Sequence, residues 1–244
     1  MLTKKKFRFS LFDFFLYIFM IIVVLLILLP MIHMLAVSFS SDVYVMQGKV
    51  GLWPKGFTAK TYGYVFEDDR IFRSYGNTIL YTVLGTTISL SITAMGAYAL
   101  SAKRMIGHKF FSMMIVFTMF FQGGMIPFYI IINNLGLMNT RFLMIIISCI
   151  TVYNIILVRS YFANSLPHDL FEAASIDGCS NARFIFQIAI PLSKAIIAVI
   201  ALYVAVSYWN SYFYPMIFLT DRYKFPLQLW LRELLLVANM NAAD

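Results

Sequence analysis

Glu172, Ala173 and Ala174, then Asp177 and Gly178, and finally Pro191 stand in a short polar stretch, FEAASIDGCSNARFIFQIAIPL (171–192), between two long apolar runs. Paired alanines beside a carboxylate leave a small, flat helical surface on which another protein can dock. An amphipathic helix resting on lipid fits the same residues, and their chemistry alone leaves both readings open. A second constellation lies in the apolar run after this stretch. Tyr203, Ser207, Asn210 and Tyr214 recur at helical spacing, with Tyr208 and Trp209 beside them, and form one polar-aromatic stripe. An aromatic belt at a membrane boundary accounts equally well for Trp209, Tyr212 and Tyr214. Asn210 is harder to explain that way, because an amide in lipid without a partner costs free energy.

Other chemistries lack their residues. The sequence has no phosphate-binding glycine loop, no zinc-ligand spacing and no nucleophile paired with a base on a plausible scaffold. No acidic or basic side chain lies deep in an apolar run, whereas proton-coupled carriers place ionisable groups along their path. His33, near the end of the first run, is the sole candidate. Sodium coupling through backbone carbonyls stays open; otherwise the energy for uphill movement is expected from another subunit.

The elements that must hold these residues are membrane helices. The chain has 244 residues, 61% hydrophobic and 12% charged, outside the range of a soluble domain. Five runs contain no Asp, Glu, Lys or Arg: 14–41, 74–102, 110–140, 142–158 and 195–220. A bilayer core of about 30 Å takes about 20 helical residues. An all-α, multi-pass bundle with five spans is expected, and strands are excluded by the length of the runs and their lack of alternation. The first run is too long for a signal peptide and lacks a cleavage site, so a retained first span over 14–37 is expected. It comes after a tail, 1–13, and precedes a polar excursion, 38–73, whose Glu67 to Arg70 reads as a solvated charged turn.

Lys4, Lys5, Lys6 and Arg8 argue for a cytoplasmic N-terminus; the whole-chain tally barely discriminates, with ten Lys/Arg on the resulting inner segments, tail included, against nine outer. On this topology 163–190 is a cytoplasmic loop. Net charge of +8 suits contact with anionic lipid, and no soluble basic domain is present to bind nucleic acid. Cys149 and Cys179 read as small packing residues. Gly85, Ser89, Thr93 and Ala97, each four apart, give one helix face that permits close approach; ordinary packing and a moving interface with a second subunit are both compatible with it.

Within the polar stretch, Pro167 suits a helix start, Gly178 a left-handed stop, and Ser180 or Asn181 the cap of a second helix leading into the membrane. The stretch resembles the cytoplasmic loop of ABC-importer permeases: Glu-Ala-Ala, three residues, Gly, nine residues, Ile, one residue, Leu, Pro. Glu172-Ala173-Ala174, Gly178, Ile188 and Pro191 match it, and Ile190 stands where the pattern has Leu. GGMIPFYIIINNLGLMNT (123–140) and YWNSYFYPMIFL (208–219) are similar to the carbohydrate-uptake branch, and FPLQLWLREL (225–234) is similar to the outer segment of permeases for complex oligosaccharides.

The resemblance implies a type I importer permease fold over 74–244 and a place in a prokaryotic cell membrane. It implies a second, homologous permease, cytoplasmic ATPases that hold ATP and magnesium, and an extracytoplasmic solute-binding protein. This chain would itself carry neither cofactor nor catalysis. Glu172, Ala173, Ala174, Asp177, Gly178 and Pro191 would form the ATPase-coupling element. The cargo would be a sugar, met along Tyr203, Ser207, Tyr208, Trp209, Asn210 and Tyr214, with Gln122 as a further pathway residue. Such permeases have six spans, so a sixth is expected to be missing from this sequence.

Overall fold

The computed structural model describes residues 11–102, 105–121, 123–166 and 168–243. The tail carrying Lys4 to Arg8, together with Gln122 and Pro167, lies outside the described residues. Helices are the only regular elements among those described. The chain divides into two compact units, Met1–Asp69 and Arg70–Asp244.

In the first unit, α1 (Leu11–Ser38) is apolar on every side, and Ala36 is its one buried residue. A helix that is hydrophobic all round belongs in lipid or against another chain. Past it, the polar excursion is tied into a fold of its own around α2 (Asp42–Met46) and α3 (Lys60–Glu67). Phe39 stacks on Phe57 and Tyr62, with ring centroids 5.5 and 4.9 Å apart. His33 Nδ1 donates to the Gly51 carbonyl at 2.9 Å, which gives this lone intramembrane candidate a structural partner.

The second unit is organised along α4 (Asp69–Ser101), whose 33 residues give a rod of about 50 Å. The next elements are α5 (His108–Phe120), α6 (Met125–Asn134), α7 (Arg141–Ile146), α8 (Val152–Ser165), α9 (His168–Ile176) and α10 (Asn181–Phe184). A π-helical turn (Ile185–Ala189), α11 (Ile190–Leu192), α12 (Lys194–Trp209), α13 (Phe213–Phe218), a 3-10 turn (Arg222–Lys224) and α14 (Leu227–Ala243) complete it. By length and composition α1 and α4 can each cross a bilayer, and up to four crossings result if each sharply bent helix pair is one span.

Three apolar runs expected as single spans are therefore interrupted. The run 110–140 is divided between α5 and α6, and Gly124, at φ +81°, stands at the start of α6. The run 142–158 breaks between α7 and α8, and 195–220 breaks between α12 and α13. Hydropathy registers none of this, because a helix can stop inside an apolar run when its end groups find partners. At α7 the partner is Tyr208, whose hydroxyl donates to the Ile145 carbonyl at 2.6 Å.

The small-residue stripe faces inward. Gly85, Ser89, Thr93 and Ala97 are all buried within this chain, which favours the packing reading. Gly85 lies under the Tyr208 ring, which a Cβ there would strike.

Two apolar clusters sit at different levels along α4. One gathers Ala97, Leu100, Ile155, Val158, Phe162, Ala174, Phe184, Ala189, Ile200, Val204 and Tyr208. The other gathers Tyr81, Ile132, Leu143, Met144, Phe218, Leu219, Phe225 and Leu229.

Candidate functional site

The polar insert folds as a helix, a turn and a second helix. α9 ends in a Schellman motif: Cys179 N donates to the Ala174 carbonyl at 2.9 Å, and Gly178 N to the Ser175 carbonyl at 3.2 Å. That closure needs a left-handed residue, and Gly178 has φ +71°. Nothing lies within 4 Å of where its Cβ would be, so the demand for glycine here is conformational and not steric. Ser180 then caps α10 by accepting the Arg183 N–H at 3.3 Å. Both the stop and the cap occur where the sequence put them.

Beyond α10 the chain does not run straight into the membrane. It widens to a π turn before Pro191, with Ile190 N bonded to the Ile185 carbonyl. Pro191 has no N–H, which removes the ordinary bond back to residue 187. At buried Ser193 the axis turns by 91° between 181–192 and 194–209.

Aromatic packing holds the insert on α4. Tyr98, Phe171 and Phe184 form a trio with centroid separations of 5.5, 5.7 and 6.4 Å, and the Tyr98 hydroxyl donates to Asn181 Oδ1 at 3.2 Å. At the end of α4 the Leu100 carbonyl accepts from Arg159 Nε at 3.0 Å and His108 Nε2 at 2.8 Å, completing a helix terminus that would otherwise be short of donors. Ala174 turns into the packed cluster, while Glu172, Ala173, Asp177 and Gly178 are exposed. Ile176 joins them at 86% exposure. Ala173 and Ile176 are three residues apart, so an apolar patch sits beside the Glu172 carboxylate on one helix face. Ile176 was not anticipated; its place one residue before the turn was the available signal.

The polar-aromatic stripe separates into two groups. Tyr203, Ser207 and Asn210 are exposed. Tyr208 is buried, holding the end of α7, while Trp209 packs edge-on against Tyr75 and Tyr214 stacks on Phe218. Asn210 closes α12: its Nδ2 donates to the Val206 carbonyl at 3.0 Å, and its Oδ1 accepts from Gln228 Nε2 at 3.5 Å. Asn210 therefore sits at the break between α12 and α13.

Past this break, hydrogen bonds take over from packing. Asn77 Nδ2 donates to the carbonyls of Tyr223 and Phe225 at 2.8 and 3.1 Å, and the Tyr81 hydroxyl donates to the Lys224 carbonyl at 2.8 Å. Thr78 Oγ1 accepts the Leu227 N–H at 2.8 Å. Asn139, at φ +56°, accepts the N–H groups of Thr220 and Asp221 on its Oδ1 at 3.3 and 3.1 Å. Its own N–H donates to the Phe218 carbonyl at 2.8 Å, and its carbonyl accepts from Lys224 Nζ at 2.8 Å. Sequence reasoning missed Asn77, Tyr81 and Asn139. An amide in the second apolar run was a signal for Asn77.

Residues 109–231 match the family described as binding-protein-dependent transport system inner membrane components. A polygalacturonan/rhamnogalacturonan transport system permease protein of Bacillus subtilis is 37% identical over 234 residues, spanning 96% of this chain and 82% of that protein. An arabinooligosaccharides transport system permease protein of Halalkalibacterium halodurans is 26% identical over 211 residues, 84% of this chain and 75% of that protein. Among solved structures, a chain of a bacterial ABC transporter involved in the import of the acidic polysaccharide alginate superposes with a TM-score of 0.88. It is 38% identical, over 93% of this chain and 82% of that one.

Proposed function

The chain belongs to the family of binding-protein-dependent transport system inner membrane components, and from that premise we propose that it is one permease subunit of an ATP-driven importer of an oligosaccharide or polysaccharide fragment. The observation that carries this reading is the exposed face of α9. Glu172, Ala173 and Ile176 project from a helix whose other side is packed onto α4, and a Schellman turn fixes its end. A partner that grips this face moves α9, α10 and the end of α4 together.

In this reading the insert end is cytoplasmic and the N-terminal tail lies on the same side. The gripping partner is an ATPase that holds ATP and its magnesium. A second permease completes the pathway, and a solute-binding protein delivers cargo at the opposite end of α4. Tyr203, Ser207 and Asn210 then face the path, where aromatic rings meet sugar C–H groups and the amide and hydroxyls meet sugar hydroxyls.

Capture of the tagged chain from its native membrane tests the reading. The ATPase and a second permease should come with it, and vesicles of the assembly should accumulate oligosaccharide only with ATP and binding protein present. Recovery of the chain alone, with no uptake, would favour a non-transporting scaffold.

A further inference from the structure

We infer that the bend at 51–53, in the first unit, seats in the phospholipid surface at the Ser38 end of α1, with the Trp53 ring in lipid, so that the segment after this helix is an interfacial anchor. The inference needs only that α1 crosses the membrane, and it is independent of what the protein transports.

The depth of this bend follows from α1. Its stretch 14–32 carries no charge and is bracketed by Asp13 and His33. At about 1.5 Å per residue the stretch is about 28 Å long, the thickness of a hydrocarbon core of about 30 Å. The core therefore ends at His33, and the helix from there to Ser38, about 7.5 Å, crosses the headgroup layer. His33 Nδ1 donates to the Gly51 carbonyl at 2.9 Å. Helical side chains lean toward the helix N-terminus, so this bond holds Gly51 no farther from the core than His33 itself. After leaving the helix, the chain thus comes back down to the edge of the hydrocarbon. It then climbs again: Lys55 N donates to Ser40 Oγ at 3.0 Å, Ser41 N to the Lys55 carbonyl at 3.1 Å, and Thr58 N to the Phe39 carbonyl at 3.0 Å.

The side chains carried to that depth suit it. Trp53 is 82% exposed and Leu52 is exposed beside it, while Val50 packs inward. A tryptophan ring, apolar with one N–H, partitions to the boundary between hydrocarbon and headgroups. Charge complements this. The stretch MQGKVGLWPKGF (46–57) has two lysines and no acid, and Lys49 and Lys55 stand exposed on either side of the bend. Their stems can lie along the apolar surface while the ammonium groups reach lipid phosphates. Water-soluble partners do not fit as well, because one that covered Trp53 would have to displace headgroups to reach the level of His33. Such an anchor also has work to do. α1 is apolar on every side, so it has no polar face to set its depth and rotation in the bilayer. Interfacial tryptophan and lysine side chains set both.

The test uses the full chain in nanodiscs of mixed phosphatidylcholine and phosphatidylglycerol. Trp209→Phe/Trp230→Phe leaves Trp53 as its one tryptophan. Lipids brominated near the headgroup should quench its emission about twofold more than lipids brominated near the chain end, and aqueous acrylamide about threefold less than it quenches free indole. Quenching by acrylamide at the free-indole rate, with none from either lipid, would overturn the inference. A second measurement keeps all three tryptophans. A nitroxide at Leu52→Cys, with Cys149→Ala and Cys179→Ala, is read in the chain alone and again in the complex captured from its native membrane with the partners freed of cysteine. Frequent collisions with oxygen and few with a water-soluble nickel chelate, in both settings, are expected of a lipid-seated bend. Few collisions with either reagent in the complex would mean that protein covers the bend, and frequent collisions with nickel that water does; each would overturn the inference. Adding Trp53→Asp should raise the nickel collision rate about threefold or more, since a carboxylate at that depth is driven into water. An unchanged rate would remove Trp53 as the anchor and overturn the inference.

Discussion

At one end of α4, Tyr98 meets Phe171 and Phe184 through ring faces and edges, and Ala174, Ala189 and Ile200 close in behind them. At the other end, Asn77, Thr78 and Tyr81 reach backbone groups of the segment 223–227 through four hydrogen bonds. The first kind of contact is non-directional, and apolar surfaces can shift on one another by fractions of an ångström without losing most of their burial. The second is directional and weakens steeply once geometry is lost. We therefore read the insert end as the part that transmits movement and the Asn77 end of α4 as the part that holds its shape.

The largest effect should come where the two ends are joined. Tyr208 belongs to the cluster at the insert end and is pinned by its hydroxyl to Ile145, beside the Tyr81–Phe218 cluster, so its ring cannot swing away from Gly85. Gly85→Val should destabilise by at least about 1–3 kcal/mol, the cost of overpacking, and deplete assembled transporter at both ends alike. The thermal midpoint of the purified complex reads this. An unchanged midpoint would break the link between the ends.

Asn139→Ala separates them. It removes two hydrogen bonds and puts a non-glycine, non-asparagine residue at φ +56°, so a loss of about 1–3 kcal/mol is expected. Hydrogen exchange should rise in 219–224 and stay as it was in 168–184. A matching rise in both segments would contradict the division.

Asn210→Leu is expected to act on transport more than on stability. It leaves Gln228 without its amide partner and removes a polar group from the helix break. Loss of about 1 kcal/mol of contact corresponds to roughly a fivefold fall in uptake per assembled transporter. Unchanged uptake would return Asn210 to its capping role.

The smallest effect lies at Asp221. The Tyr223 N–H, donated at 2.9 Å, holds its carboxyl below the usual carboxylate range, with Lys224 assisting at 3.3 Å. A lowered folded-state pKa gives stability that is present above the ordinary carboxylate value of about 3.9 and is lost as pH falls through the folded value. Asp221→Asn should therefore lower the midpoint slightly at neutral pH, and the difference from wild type should vanish in strong acid. A difference that grew on acidification would have the wrong sign.

Much of the insert could be read in advance, because its determinants are local. A glycine stop, a serine cap and a proline act within a few residues of themselves, and Gly178 and Ser180 sit as their chemistry requires. The interrupted spans could not be read so. Whether an apolar run breaks depends on a distant donor such as Tyr208 reaching the orphaned carbonyl. Tyr208 itself fell on the wrong side of the stripe for the same reason: spacing gives a helix face, and only the neighbours decide which face is buried. The small-residue stripe gave close packing correctly but not the partner, which at Gly85 is the Tyr208 ring of the chain's own α12. Arg70 and Trp230 meet across most of the length of the second unit, and no window of sequence joins them.

The central claim, that the exposed face of α9 carries coupling, is tested most directly by ATP hydrolysis and sugar uptake measured side by side in reconstituted vesicles. The variants are Glu172→Lys, Gly178→Val and Gly178→Asn. Because only the left-handed conformation, and no neighbour, demands glycine at 178, Asn should be tolerated and Val should cost about 1–3 kcal/mol of local strain. The account predicts that Glu172→Lys and Gly178→Val lose at least tenfold in sugar imported per ATP, or lose the ATPase altogether, with the binding protein's affinity for sugar unchanged and Gly178→Asn close to wild type. Normal uptake and sugar-stimulated hydrolysis in both Glu172→Lys and Gly178→Val would contradict it.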